Sequence, residues 1–468
     1  MHVSSLWGNY SEGGFSRAAY EWIDFLADCG FGVWQVLPFC LPDDCNSPYK
    51  SFGAFSINPH FIDPEALCEA GLLMREELLA AEQKTPYACE FDRLSGERMA
   101  LLSLAASRVG DRTPIDAFLA AHPQSASFCR FMAIKAANGG REWQDWTVDT
   151  PDEAVQATWE FTQYEAHRQW MAVKRYANER GISIVGDIPI YVASDSADVW
   201  ANRELFQLDQ NYRPEAQAGV PPDYFCEDGQ LWGNPLYDWR RMKQDNYAWW
   251  RERMAFMLEL FDGVRIDHFR GLESYFSIPA GEKTARNGKW KKGPGMALIR
   301  ALRSVADDRL IIAEDLGDIT PEVRRLVDRS GYPGMRVLQF AFLGDAHSPH
   351  LPHHYENNCV AYTGTHDNNT LLGYIWEQDE ANRRRILDYC GYEGEWDRCY
   401  DAILRTMLAS SAGLVVLPVQ DLLCYGSDTR LNTPGRSDGN WSYRLTREQL
   451  DGVSREKYRN WNRLYGRN

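Results

Sequence analysis

The sequence has little that would tie it to a membrane, a nucleic acid or a metal. No apolar run approaches the roughly 20 residues needed to span a bilayer. Met1-His-Val-Ser-Ser-Leu-Trp7 has neither the basic start nor the apolar core of a secretory signal. Positive charge is in deficit: 50 Lys and Arg against 66 Asp and Glu leave a formal net charge of −16. That balance argues against a nucleic-acid backbone or an anionic membrane as partner. Cysteine is present, at 11 residues, but in no Cys-x-x-Cys pair. Cys29, Cys40, Cys45 and Cys129 keep no ligand spacing with histidines, so reduced thiols in a cytoplasmic protein are the expectation. There is no internal repeat and no low-complexity tract. What is present is ordinary for a globular chain: 468 residues, 44% hydrophobic and 25% charged, enough for a sizeable core.

The chain alternates strand-like and helix-like segments. His2–Ser5 reads as the tail of a strand. Ser16–Cys29 reads as an amphipathic helix closed by Gly30, and Val33–Pro38 as a buried strand. Residues 60–165 break the rhythm with a largely helical insertion. A helix over Thr158–Arg180 then leads to a strand in Ile182–Val192. Residues 193–250 form a second insertion whose aromatic, Pro/Gly-punctuated loops have the character of lids or binding walls. Strands follow at Val264–Ile266, Leu310–Ala313, Val337–Phe342, Cys359–Asp367 and Gly413–Leu423, with helices at Met296–Ala306 and Pro321–Arg329 among them. Glu273–Gly295 is polar and glycine-rich and reads as a loop. About eight strands with helices between them predict an α/β fold, a single (β/α)8 TIM barrel over residues 1–468. Its insertions follow strands 2 and 3, and its first strand is shortened.

Three strand ends carry acids. In Phe261-Asp-Gly-Val-Arg-Ile-Asp-His-Phe-Arg270, Val264 and Ile266 share one face while Arg265 and Asp267 share the other. Glu314, with Asp315 beside it, and Asp367 end two other strands, and Asp187 lies near the end of a fourth. Barrels of this type collect catalytic groups at the C-terminal ends of their strands. Carboxyls converging there repel one another, so one should hold its proton while another stays ionised. That division of labour serves retaining glycoside chemistry, with one carboxylate as nucleophile and one carboxyl as acid and base. The 17 Trp and 23 Tyr supply aromatic plates with polar edges, suited to sugar rings as well as to a core. Plainer readings stand beside this one. Arg265–Asp267 can be a structural ion pair, Glu314 a helix cap, and His366-Asp367-Asn-Asn a turn. A carboxylate site for a divalent metal is a further alternative.

Many short stretches, in order, resemble the 4-α-glucanotransferases (amylomaltases or disproportionating enzymes) of the α-amylase superfamily. They include Asn46-Ser-Pro-Tyr-Lys-Ser-Phe-Gly-Ala-Phe55, Gly186-Asp-Ile-Pro-Ile190, Gly219-Val-Pro-Pro-Asp-Tyr224, Trp232-Gly-Asn-Pro-Leu-Tyr237, Val264-Arg-Ile-Asp-His-Phe-Arg-Gly271, Ala313-Glu-Asp-Leu-Gly317, Thr363-Gly-Thr-His-Asp-Asn368 and Leu431-Asn-Thr-Pro-Gly435. The resemblance implies Asp267 as nucleophile, Glu314 as general acid/base and Asp367 as transition-state stabiliser. It implies that Arg265 contacts the nucleophile, that His366 and Tyr49 bind the sugar being cleaved, and that Asp187 supports them. Trp232 and Asn234 would belong to the cover of the glucan groove. The implied partners are maltooligosaccharides with glucose or another glucan as acceptor. The implied reaction, transfer of a 1,4-α-glucan segment, uses no metal or organic cofactor. A glucan hydrolase on the same scaffold and an inactive glucan-binding barrel remain as alternatives.

Overall fold

A computed structural model describes the chain except for Asp44, residues 223–226, Ser437 and Asn468. Eleven strands are present among the described residues: β1 Val33–Gln35, β2 Ser183–Ile188, β3 Ala216–Val220, β4 Gln230–Pro235, β5 Gly263–Ile266, β6 Ser274–Pro279, β7 Lys289–Lys292, β8 Leu310–Ala313, β9 Gly334–Val337, β10 Cys359–Tyr362 and β11 Leu414–Val416. Seven form one parallel sheet in the order β1-β2-β5-β8-β9-β10-β11. Every pairing in it is parallel, so each return must cross over, and helices supply the crossings. This is a TIM barrel with seven strands in its wall. Val3–Ser5, expected as a strand tail, is instead one 3-10 turn. It sits beside the opening between β1 and β11, where Trp34 Nε1 donates to Met1 O at 2.7 Å and the Leu37 N–H donates to His2 Nδ1 at 3.2 Å.

The two faces of the strands separate cleanly. Val185, Ile312, Met335, Val337, Val360 and Tyr362 fill the barrel interior as one apolar cluster. The alternate residues Ile184, Ile188, Val264, Ile266, Ile311 and Ala361 join the large core between sheet and helices. Gly186 lies on that outer face, where a Cβ would stand 2.3 Å from the Phe261 ring. Period two therefore sends Asp187 and Arg265 inward, among the apolar residues of the interior.

Helix ends match their local chemistry. Arg17–Cys29 is capped by the Ser16 side chain and closed by Gly30 in left-handed conformation. Met296–Ala306 lies where its apolar spacing predicts. The helix expected from Thr158 begins earlier, at Glu153, because Asp152 caps it. Further expectations change. The strand expected over Gly413–Leu423 is confined to Leu414–Val416, and Val419–Leu422 turns as a short helix after Pro418. Leu338–Ala341 is a helical turn and not strand, since pairing with β10 uses Gly334–Val337. The stretches expected as loops at 193–250 and Glu273–Gly295 contain a four-stranded antiparallel sheet, order β4-β3-β6-β7. Phe276, Ile278 and Ala285 form its own small core. Residues 223–225 of the aromatic stretch after β3 lie outside the described residues.

Candidate active site

One chain of side chains runs across the C-terminal mouth of the barrel. Asp187 and Arg265 are register partners on β2 and β5. Arg265 Nη1 donates to both Asp187 oxygens, at 2.8 and 2.6 Å, and its Nη2 donates to Asp267 Oδ1 at 2.8 Å. Tyr49 OH donates to Asp187 Oδ2 at 2.8 Å and lies 3.4 Å from His366 Nδ1, with the two rings stacked at 4.9 Å. His366 Nε2 is 3.3 Å from Asp367 Oδ1, which also accepts from Asn432 Nδ2 at 2.6 Å. Asp267 and Asp367 are thus the ends of a single polar relay. Arg265 is only 5% exposed and Asp187 1%. A charge so deeply placed is tolerated because each partner is bonded, and removing one would strand the others. The positive charge that a divalent ion would bring among these carboxylates is already supplied by the Arg265 guanidinium.

Glu314 is built differently. Ile266 and Ala313 are register partners, so Asp267 and Glu314 leave neighbouring strands at the same level. The Glu314 carboxyl accepts from the His268 N–H at 2.7 Å and from the Leu316 N–H at 2.8 Å. His268 has φ 50°, ψ 47°, a left-handed turn that aims its N–H at Glu314. No cation lies within ion-pair distance of Glu314 among the described residues. Burial, reinforced by the charge of Asp267, pushes the Glu314 carboxyl up to about 7 despite Arg265 and the two amides. Asp367 goes the other way. Burial opposes ionisation there too, but His366 and the Asn432 amide hold its carboxyl well below the usual carboxylate range. His366 is raised in turn: the Asp367 carboxylate outweighs the burial that would lower it. Burial likewise raises Asp187 to about 6, against the pull of Arg265.

Comparison with known proteins decides the family. A family model described as 4-alpha-glucanotransferase matches residues 1–450. The chain is 42% identical to a 4-alpha-glucanotransferase of Synechocystis sp., over 96% of this chain and 94% of that one. It is equally identical to one from Streptococcus pneumoniae, over 100% of this chain and 96% of that one. The solved amylomaltase of Streptococcus agalactiae in complex with acarbose superposes with a TM-score of 0.95 at 33% identity, covering 100% of this chain and 98% of that one. The chain belongs to the 4-alpha-glucanotransferase family.

The fold brings Tyr49, Asp187, Arg265, Asp267, Glu314, His366 and Asp367 to one mouth. Trp232, on β4, reaches it from the second sheet, its ring 4.8 Å from His268 and edge-on to it. Asn234 is placed apart from the relay: it is 8% exposed and its amide donates to Val192 O at 2.9 Å, which ties β4 to the segment after β2. The plainer readings hold in part. The bond from Leu316 makes Glu314 a turn acceptor as well, and Asp315 pins β9 through the Met335 N–H at 2.6 Å. The turn after β10 is made by Asn368, which accepts from Thr365, leaving Asp367 to face His366 and Asn432. Sequence reasoning missed Asn432, Arg430, Trp441 and His268 as members of the site. Arg430 Nη2 donates to Asp367 O at 2.6 Å, and Trp441 packs 5.8 Å from His366 and 6.0 Å from Tyr49. Burial drops the His268 imidazole to about 4, so its ring is neutral at pH 7, and its Nε2 finds no partner among the described residues. Asn432 and His268 stand in two of the resembling stretches, Leu431–Gly435 and Val264–Gly271, which was the available signal.

Proposed function

We propose that the chain transfers 1,4-α-glucan segments with retention, through a covalent glycosyl-enzyme on Asp267. Asp267 Oδ attacks the anomeric carbon as the glycosidic bond to the leaving 4-oxygen breaks, and Glu314 gives that oxygen its proton. The acceptor's 4-hydroxyl then returns a proton to Glu314 and displaces Asp267. Arg265 orients the nucleophile, Asp367 and His366 stabilise the charged ring, and Tyr49 packs beside it. Trp232 and the free Nε2 of His268 meet the glucan from above. Asn234 serves by fixing the β4 backbone under Trp232. The free thiols of the ten described cysteines suit a reducing compartment such as the cytoplasm.

The observation that carries this reading is the contrast across β5 and β8. Two carboxyls leave adjacent strands at one level; one is bonded to a guanidinium and the other is buried with backbone amides and kept up to about 7. Strands lie about 4.8 Å apart, a spacing that suits the close pair of retaining enzymes better than the wider pair of inverting ones. Maltotriose is the test substrate. A ladder of longer maltodextrins together with glucose is expected, and Asp267→Asn should lower its rate by about 10⁴-fold while the melting curve stays cooperative. Glucose and maltose without longer products would assign hydrolysis instead. A near-normal rate in Asp267→Asn would remove the nucleophile from the account.

A further inference from the structure

Away from the mouth, four helices of the described chain bring His122, His167 and Glu259 together. His122 joins helix Thr113–Ala121 to helix Pro123–Ala137, His167 lies in Glu153–Glu179, and Glu259 lies in Ala248–Leu260, the helix that feeds β5. His122 Nε2 is 3.0 Å from Glu259 Oε2, and His167 Nε2 is 2.7 Å from Glu259 Oε1. One ligand atom from each residue lies within 4.8 Å of the others.

The hydrogen bond on the far side of His122 gives this cluster its meaning. His122 Nδ1 is 2.9 Å from the Phe118 carbonyl oxygen. A carbonyl only accepts, so Nδ1 carries the proton. A neutral His122 then turns the lone pair of Nε2 toward a carboxylate, and two acceptors face each other. The contact is favourable only with positive charge between them. A proton on Nε2 provides it for His122 alone, whereas a divalent metal ion provides it for both histidines at once. The Phe118 carbonyl is also the kind of outer partner that fixes the tautomer of a metal-binding histidine. Ligand bonds of about 2.0–2.1 Å in a tetrahedron set donor atoms about 3.3 Å apart. The His–Glu separations of 2.7 to 3.2 Å fall just short of that value, so a small opening of the cluster admits the ion. The side chains of His122 and His167 are 17% and 16% exposed and that of Glu259 38%, so an ion can enter and a water can complete the set.

We propose that His122, His167 and Glu259 form a binding site for one divalent transition-metal ion of the Zn²⁺ class. Three protein ligands and one water would hold it. The aromatic ring of Phe118, 4.5 Å from His122 and 5.1 Å from His167, walls one side. The site stands away from the reacting acids, so its effect is on cohesion: it ties the helices between β1 and β2 to the helix that leads into β5. Bound ion stabilises the folded chain by mass action, because the unfolded chain does not gather these three residues.

The test uses the full chain, stripped of metal by chelator and titrated with ZnCl₂ by calorimetry and with CoCl₂ by visible absorption. The expected result is one ion per chain, an intense tetrahedral Co²⁺ band, and a melting temperature raised by Zn²⁺. His122→Gln and His167→Gln should each weaken Zn²⁺ binding by about tenfold or more, abolish the band, and leave glucan transfer in metal-free buffer unchanged. Absence of saturable uptake by the wild-type chain would overturn the proposal. So would uptake of equal affinity and an equal Co²⁺ band in His167→Gln, the milder variant, which keeps the helix junction at His122 intact.

Discussion

The ends of β8 and β10 treat the same chemical group in opposite ways. Glu314 sits on β8's end, 9% exposed, with two backbone N–H groups and the neighbouring charge of Asp267; it is raised to about 7. Asp367 sits past β10 with its side chain about half exposed, bonded to His366 and Asn432, and lies well below the usual carboxylate range. Loss of water opposes charge at both, more at Glu314 than at the half-exposed Asp367. The difference lies in what each carboxylate faces: a like charge on one side of the mouth, the His366 imidazole and an amide on the other. A barrel mouth can thus hold one carboxyl ready to keep its proton and another ready to stay ionised.

Removing each carboxyl tests the comparison from its strongest side first. Glu314→Gln should cut transfer from maltotriose by about 10³-fold or more, since in the proposed mechanism proton donation and proton removal both pass through it. The same change should stabilise the fold. A carboxyl whose folded value is raised contributes stability that is full below its ordinary value near 4.5 and is lost as pH rises toward 7, so Glu314→Gln should melt above wild type at pH 8 and by less at pH 4. Thermal melts at the two pH values check the sign. Asp367→Asn is expected to lower kcat by about 10²–10³-fold, as loss of a positioned charge does in other sites, with KM changed less. Unlike Glu314→Gln, it should also lower the melting temperature, because His366 loses its counter-charge. Asn432→Ala removes one hydrogen bond to the Asp367 anion and should cost about tenfold in kcat, with the acid limb of the rate profile moved to higher pH.

The legible part of the fold was the part governed by local pattern. The apolar strands β2, β5, β8 and β10 and the caps at Ser16 and Gly30 follow from residue spacing alone. The second sheet was hidden because β7 is Lys289-Trp-Lys-Lys292, exposed throughout, and its pairing with β6 comes from tertiary context and not from period. β9 was displaced for a similar reason: the apolar run Leu338-Gln-Phe-Ala-Phe342 serves a helical turn as well as a strand, and only the ladder to β10 decides. At the site, the acids were legible as strand ends, while their electrostatic fates were not. Asp367 is lowered first by His366 beside it and then by Asn432, 65 residues along the chain, and the amide that grips Glu314 comes from a left-handed backbone at His268. Neither spacing nor composition carries such information.

In the proposed mechanism Glu314 must be protonated for the first step and Asp367 must not be. That requirement is tested most directly by kcat/KM against pH for two donors on the wild-type enzyme, maltotriose and an α-maltosyl fluoride, whose fluoride departs without a proton from the enzyme. For maltotriose, kcat/KM should fall as pH rises through about 7, where Glu314 loses its proton. For the fluoride that alkaline limb should be absent. The same limb for both donors, or for neither, would contradict the assignment of the two carboxyls.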